Sequence, residues 1–387
     1  MRFAMTRDTW STRCMILGLV FSWSVGLAAV PQADGVTISS VFFVPGNTFI
    51  LGKGFYFLPE RREVGGISRE KITGGIWVWR TDDGRVDHFI PFPKMTWPDE
   101  VDISQDGARI AIIFFDSGQM DRKPDWLGCY SLVGKHWLWR WKWEKYETRE
   151  SPRQVKFCSD SRKMLIVGYW SMWYLDADTG EEIGQRRGFL KEYPVLRWGL
   201  RSSYISPSGR YLVIWQEKPF EGIGWGLNKF VTVWDLALGK EVVRWRKPTC
   251  ECEIAAFSPD EESIVFGCKD GYVREWSIKT RSLVREFSTR GNISSVVFST
   301  DGRYLGVNSD CKEIIIFDRV TQKMVHTFVS SGREYTQIVG EQYPMAFSSD
   351  GQLFTFRNEE RKICLYSTST WEQKWCVDPK PPHVPNE

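Results

Sequence analysis

"VVFSTDGRYLGV", residues 296–307, is two short apolar strands around the polar turn Ser299-Thr300-Asp301-Gly302. Ser and Asp side chains bond their own local backbone, and Gly accepts a positive φ, so the stretch reads as a β-hairpin. The same design recurs along the chain. It appears as "VFFVPGNTFIL" from 41, "VDISQDGARIAII" from 101, "VKFCSDSRKMLIV" from 155 and "SYISPSGRYLVIW" from 203. It returns as "AAFSPDEESIVF" from 255 and "MAFSSDGQLFTF" from 345. The turn aspartates Asp106, Asp160, Asp260, Asp301 and Asp350 repeat with the hairpins, which marks them as turn-formers and not ligands.

A second hairpin follows each first one. Examples are "GIWVWRTDDGRVDHF" from 75, "FVTVWDLALGKEVVRW" from 230 and "EIIIFDRVTQKMVHTF" from 313. Seven units of four strands, spaced by roughly 40–60 residues, are the mark of a β-propeller. The expected fold is therefore all-β, a seven-bladed propeller with four antiparallel strands per blade. The blades are expected at about 41–92, 101–146, 155–186, 203–247, 254–288, 295–329 and 344–377. A lead-in at 29–40 and a C-terminal tail at 378–387 flank them.

These units resemble the WD-repeat family. The resemblance rests on the FSxDG-like first turn and on an aromatic closing the third strand. Trp79, Trp234, Trp276, Phe317 and Tyr366 take that place, and Asp235 and Asp318 follow it. The family's Gly-His pair before each blade is missing, so its His–Asp network is not expected here. "DADTGEEIG" from 176 and "DLALGKEVVRW" from 235 are also similar to the Trp-docking repeats of quinoprotein dehydrogenases. The WD-repeat resemblance implies a propeller. It says little about activity, because one fold hosts many functions.

"KHWLWRWKWEKY", residues 135–146, carries Trp137, Trp139, Trp141 and Trp143 at every second position. Aligning Gly134-Lys135 with Gly239-Lys240 makes it the outermost strand of the second blade. Alternate side chains of a strand share a face. All four tryptophans are therefore expected to pack together against one neighbouring blade, with Arg140 and Lys142 on the other side.

Composition narrows the function. The net charge is +3, from 51 Lys and Arg against 48 Asp and Glu. Such a balance lacks the basic excess of a nucleic-acid binder, so no nucleic-acid partner is expected. Arg2, Arg7 and Arg13 precede the apolar run "CMILGLVFSWSVGLAAV" at 14–30. That order reads as a signal peptide over 1–28, or as an uncleaved membrane anchor. Either implies a secreted, periplasmic or cell-envelope protein, touching a membrane only if the segment is uncleaved.

No catalytic set emerges. His88, His136 and His326 fall on outer strands of different blades, and His383 lies in the tail. A Ser-His-Asp arrangement or a metal cluster is improbable on that pattern, and no phosphate-binding loop appears. No cofactor and no metal are expected. Export permits disulfides, and Cys252–Cys268 and Cys364–Cys376 are the expected pairs, with a metal site at Cys250 and Cys252 as the alternative.

Loop length is the remaining signal. The connections at 52–75, 116–125 and 216–229, and the inter-blade segment 185–202, are long and should leave from one face. They carry Arg61, Arg62, Tyr193, Arg197, Trp198, Phe220 and Trp225, the residue types that anchor interfaces. The expected function is a non-catalytic protein-interaction scaffold using that face. The alternatives are a small-molecule or quinoprotein-like enzyme in the central channel, or a module that binds carbohydrate or envelope polymer.

Overall fold

The computed structural model describes residues 36–58, 71–93, 96–116, 124–142, 152–168, 171–187, 203–217, 229–246, 252–310, 312–329 and 345–381. These form seven four-stranded sheets, each antiparallel with its strands in consecutive order. The blades span 36–91, 96–142, 152–187, 203–246, 252–288, 293–329 and 345–377. No helix occurs among the described residues. The first two blades begin earlier than the turn motif suggests. Their first strands are Val36–Phe43 and Thr96–Ile103, so part of the expected lead-in is strand.

The turn between the first two strands explains the repeat. In blade 2, Asp106 accepts from the Ser104 hydroxyl at 2.6 Å and from the Ala108 N–H at 2.9 Å. In blade 7, Asp350 does the same with Ser348 at 2.6 Å and Gln352 at 3.0 Å. The next residue is left-handed, with φ of 70° at Gly107 and 70° at Gly351. Where glycine is absent, Asn47, Ser161 and Glu261 hold that conformation instead. Their side chains use it to reach the preceding blade. Glu261 accepts from the Ser208 N–H at 2.6 Å, and Asn47 accepts from the Ser349 N–H at 2.8 Å.

Second and third strands are buried on both faces, which is why they read as continuous apolar runs. Strand Ser263–Cys268 is buried at every position. The apolar side chains form a ring of separate clusters, each between two neighbouring blades. One joins blades 1 and 2 through Val78, Ile90, Ile112 and Phe114. Another joins blades 5 and 6 through Val265, Phe287, Leu305 and Phe317. Blades 7 and 1 share a cluster as well, including Leu365, Ile363, Trp77 and Trp79. Ring closure adds polar ties there. Arg357 donates to the Ile38 carbonyl at 2.8 Å, Trp375 to the Thr81 carbonyl at 2.8 Å, and Trp77 to the Lys380 carbonyl at 2.9 Å.

The tryptophan strand, His136–Lys142, departs from the expectation of one shared face. The register between the third and fourth strands shifts between Cys129 and Tyr130, so Leu138 is a bulge. Trp137 lies opposite Tyr130, while Trp139 lies opposite Cys129. Adjacent residues of a strand face opposite sides, so the bulge splits the tryptophans. Trp137 joins the cluster of blades 1 and 2. Trp139 and Trp141 join that of blades 2 and 3. All three are half-buried, and Trp143 lies outside the described residues. Arg140 stacks over Trp126 and Trp137, with its guanidinium 5.7 and 5.5 Å from the ring centres. The Trp139 indole donates to the Ala177 carbonyl at 2.9 Å. It also leans on Gly180, at φ 73°, where a Cβ would lie 2.6 Å from the ring. The same register shift occurs in the other blades, for example between Glu275 and Trp276.

Candidate functional site

The propeller offers two faces and a central channel. On the face carrying the first turns, polar side chains are engaged in blade-to-blade bonds. Ser208 meets Glu261, Ser349 meets Asn47, and the Thr300 hydroxyl donates to the Ser348 carbonyl at 3.3 Å. The connections between second and third strands leave from the other side, with those that join one blade to the next. Strand ends Leu58, Lys71, Glu217, Lys229, Arg187 and Ser203 mark where the long segments depart. Arg61, Arg62, Tyr193, Arg197, Trp198, Phe220 and Trp225 lie outside the described residues.

The cysteines fall at cross-strand positions. Cys252 faces Cys268 and Cys364 faces Cys376, and both pairs are disulfide-bonded. Cys129 and Cys158 are free thiols, and burial raises the Cys129 pKa to about 12. Cys250 and Cys311 lie outside the described residues. Among the described residues no three His, Cys, Asp or Glu side chains are grouped as metal ligands. His88, His136 and His326 sit on fourth strands. His88 contacts Asp87 at 2.7 Å, and His326 stacks on Trp371 with 5.5 Å between ring centres.

The channel holds charged side chains on its innermost strands. First strands of blades 1, 2, 3, 4 and 7 line one cavity of about 390 Å³. Position by position, the residue two before the first turn reads Phe42, Asp102, Lys156, Tyr204, Ala256, Val297 and Ala346. Five of these line the cavity: Phe42, Asp102, Lys156, Tyr204 and Ala346. Lys156 donates to Asp102 at 2.6 Å, and the Phe157 N–H donates to the same carboxylate at 2.6 Å. Burial works against the Lys156 charge, but Asp102 outweighs it and raises the lysine pKa. Lys53, on the second strand of blade 1, donates to the Asp99 carbonyl at 2.6 Å.

Glu100 is different. It stands just past a bulge in the first strand of blade 2 and lines the cavity. Its carboxyl has no hydrogen bond or ion pair among the described residues. Desolvation pushes its pKa up to about 8; Lys53 moderates the shift, and Asp99 and Asp102 add to it. Burial also raises Asp99, with Lys53 and Arg153 opposing. Sequence reasoning missed this group. The signal was there in "PDEVDI", 98–103, which sets acids at alternate positions of an innermost strand.

Comparison with known proteins agrees with the geometry. No family model matches the chain. Among curated proteins, transcription initiation factor TFIID subunit 5 of Caenorhabditis elegans is 31% identical over 115 residues, covering 30% of this chain and 17% of its own length. Protein hir-1 of Neurospora crassa is 29% identical over 140 residues, 30% of this chain and 14% of its own. Protein HIR1 of Gibberella zeae is 26% identical over 149 residues, 33% and 14% respectively. The chain thus matches less than a fifth of the length of each. Seven four-stranded blades make the chain a β-propeller, and about a third of it is similar to these WD-repeat proteins, consistent with a WD40-like repeat. The relatives also correct the expected secreted, periplasmic or cell-envelope location. A transcription initiation factor subunit is among them, and the expected export does not fit such a relative.

Proposed function

We propose that the chain is a non-catalytic scaffold that binds protein partners through the face carrying its long connections. The observation that carries this reading is the asymmetry of the faces. The first-turn face has its polar groups engaged between blades, as in the Ser208–Glu261 and Ser349–Asn47 contacts. The long segments, with Arg61, Arg62, Tyr193, Arg197, Trp198, Phe220 and Trp225, depart from the opposite side of a rigid ring. Loops on a rigid scaffold are where binding concentrates, and Arg with aromatics supplies its anchors. The WD-repeat relatives support protein partners, and a transcription initiation factor subunit among them suggests a nuclear assembly.

The test is crosslinking and affinity capture from nuclear extract with the full chain. Trp225→Ala or Arg197→Glu should remove captured partners and leave the melting temperature unchanged. Lys240→Ala, on an outer strand, should leave capture intact. Capture that survives both loop substitutions and deletion of 216–229 would overturn the reading.

A further inference from the structure

The channel cavity has the composition of a ligand site, and the scaffold reading does not use it. Its size of about 390 Å³ lies within the range of small-molecule pockets. Its wall combines aromatic rings with a lone carboxyl. Phe42, Phe43, Tyr204 and Phe347 come from blades 1, 4 and 7, and Glu100 comes from blade 2. The other charges around Glu100 are directed elsewhere. The Lys156 ammonium is held by Asp102, and the Lys53 ammonium by the Asp99 carbonyl. Arg153 acts on Asp99. Among the described residues Glu100 therefore has no ion pair, although Lys53 and Lys156 act on it from a distance, and ring faces attract cations.

We propose that this cavity binds a monovalent organic cation, an ammonium or guanidinium on an alkyl arm, received by the Glu100 carboxylate and the surrounding rings. The chemistry is the same whether the group belongs to a free amine or to a basic side chain of a peptide. Its binding is coupled to a proton. An unliganded Glu100 with a pKa of about 8 is protonated near neutral pH. The incoming cation pairs with the carboxylate, and the carboxyl proton leaves to solvent. Atoms and charge balance: a neutral acid and a cation become an ion pair and one released proton. Affinity should then rise about tenfold per pH unit below pH 8. Asp102 and Lys156 are already paired; burial also raises Asp99, beside Lys53, so the Glu100→Gln variant is what assigns the proton to Glu100.

Calorimetry with the full chain tests this. The probes are n-butylguanidinium, neutral n-butylurea, and a nine-residue peptide with one central arginine. Titrations at pH 6.5 in two buffers of different ionisation enthalpy count the protons. The expected result is binding of n-butylguanidinium or of the peptide, with about one proton released per cation bound. Tighter binding of the peptide identifies a side chain as the source, and binding of the small cation alone identifies a free amine. Glu100→Gln keeps the shape of the protonated acid. It should cost about 10- to 100-fold in affinity and abolish proton release. Equal binding of n-butylurea, binding without proton release, unaltered affinity in Glu100→Gln, or no binding of either cation would overturn the proposal.

Discussion

Two glutamates, the fully buried Glu275 and the half-buried Glu100, sit in the same ring and carry opposite charge states. Glu275, on the third strand of blade 5, is 0% exposed. It accepts from Ser263 at 2.6 Å, from Arg319 of blade 6 at 2.6 Å and from Arg285 at 3.1 Å. Desolvation raises its pKa, but Arg319 and Ser263 outweigh that and hold it below the ordinary value. Glu100, half-buried at the channel wall, is also desolvated but has no such partners among the described residues, and its pKa climbs to about 8. Burial therefore does not decide the charge of an acid; the hydrogen bonds that accompany it do. The first acid ties two blades together, and the second leaves a blade with unspent binding capacity.

The largest effect should separate the two by pH. Glu100 has a raised folded pKa, so its favourable contribution is complete below about 4.5 and is lost as pH rises through about 8. Glu275 has a lowered folded pKa, so its contribution is present above the ordinary carboxylate value and is lost on acidification. Denaturant unfolding of the wild type should show stability falling between pH 5 and pH 8.5 by a few kcal/mol, at about 1.4 kcal/mol per pKa unit. Glu100→Gln should flatten that slope and leave the acid side unchanged. An identical slope in the variant breaks the comparison.

Next in size is Arg319→Ala, which leaves Glu275 with Ser263 and Arg285 alone. A loss of about 3 kcal/mol is expected, because removing one partner strands a buried charge. A loss below about 0.5 kcal/mol, typical of surface changes, would show that the blade 5–6 tie is ornamental.

A smaller effect tests aromatic packing between blades 2 and 3. Trp139→Ala removes the bond to the Ala177 carbonyl and a half-buried ring, at about 2 kcal/mol. Trp137→Ala acts on the blade 1–2 cluster instead. Because the bulge puts the two rings on opposite faces, the double variant should be additive within about 0.5 kcal/mol. Strong coupling would mean that they share a face after all.

Much of this ring was legible in the chain. Repeated Ser-x-Asp-Gly turns such as 299–302 specify hairpins through local chemistry alone, and local chemistry is visible in sequence. Apolar runs such as "SIVFGC", 263–268, announce strands buried on both faces. The bulge at Leu138 was not legible. It comes from the register between two strands, and strict alternation of Trp in the sequence gives no sign that the register slips.

The sequence by itself determined the number of blades, their strand order and the turns that start them, because each depends on residues a few positions apart. Tertiary structure alone decided which tryptophan faces which blade, which acid meets arginine and which acid stands alone in the channel. Glu275 and Arg319 are 44 residues apart, and Glu100 and Lys53 belong to different blades. Their charge states follow from distances and desolvation that exist only once the ring has closed.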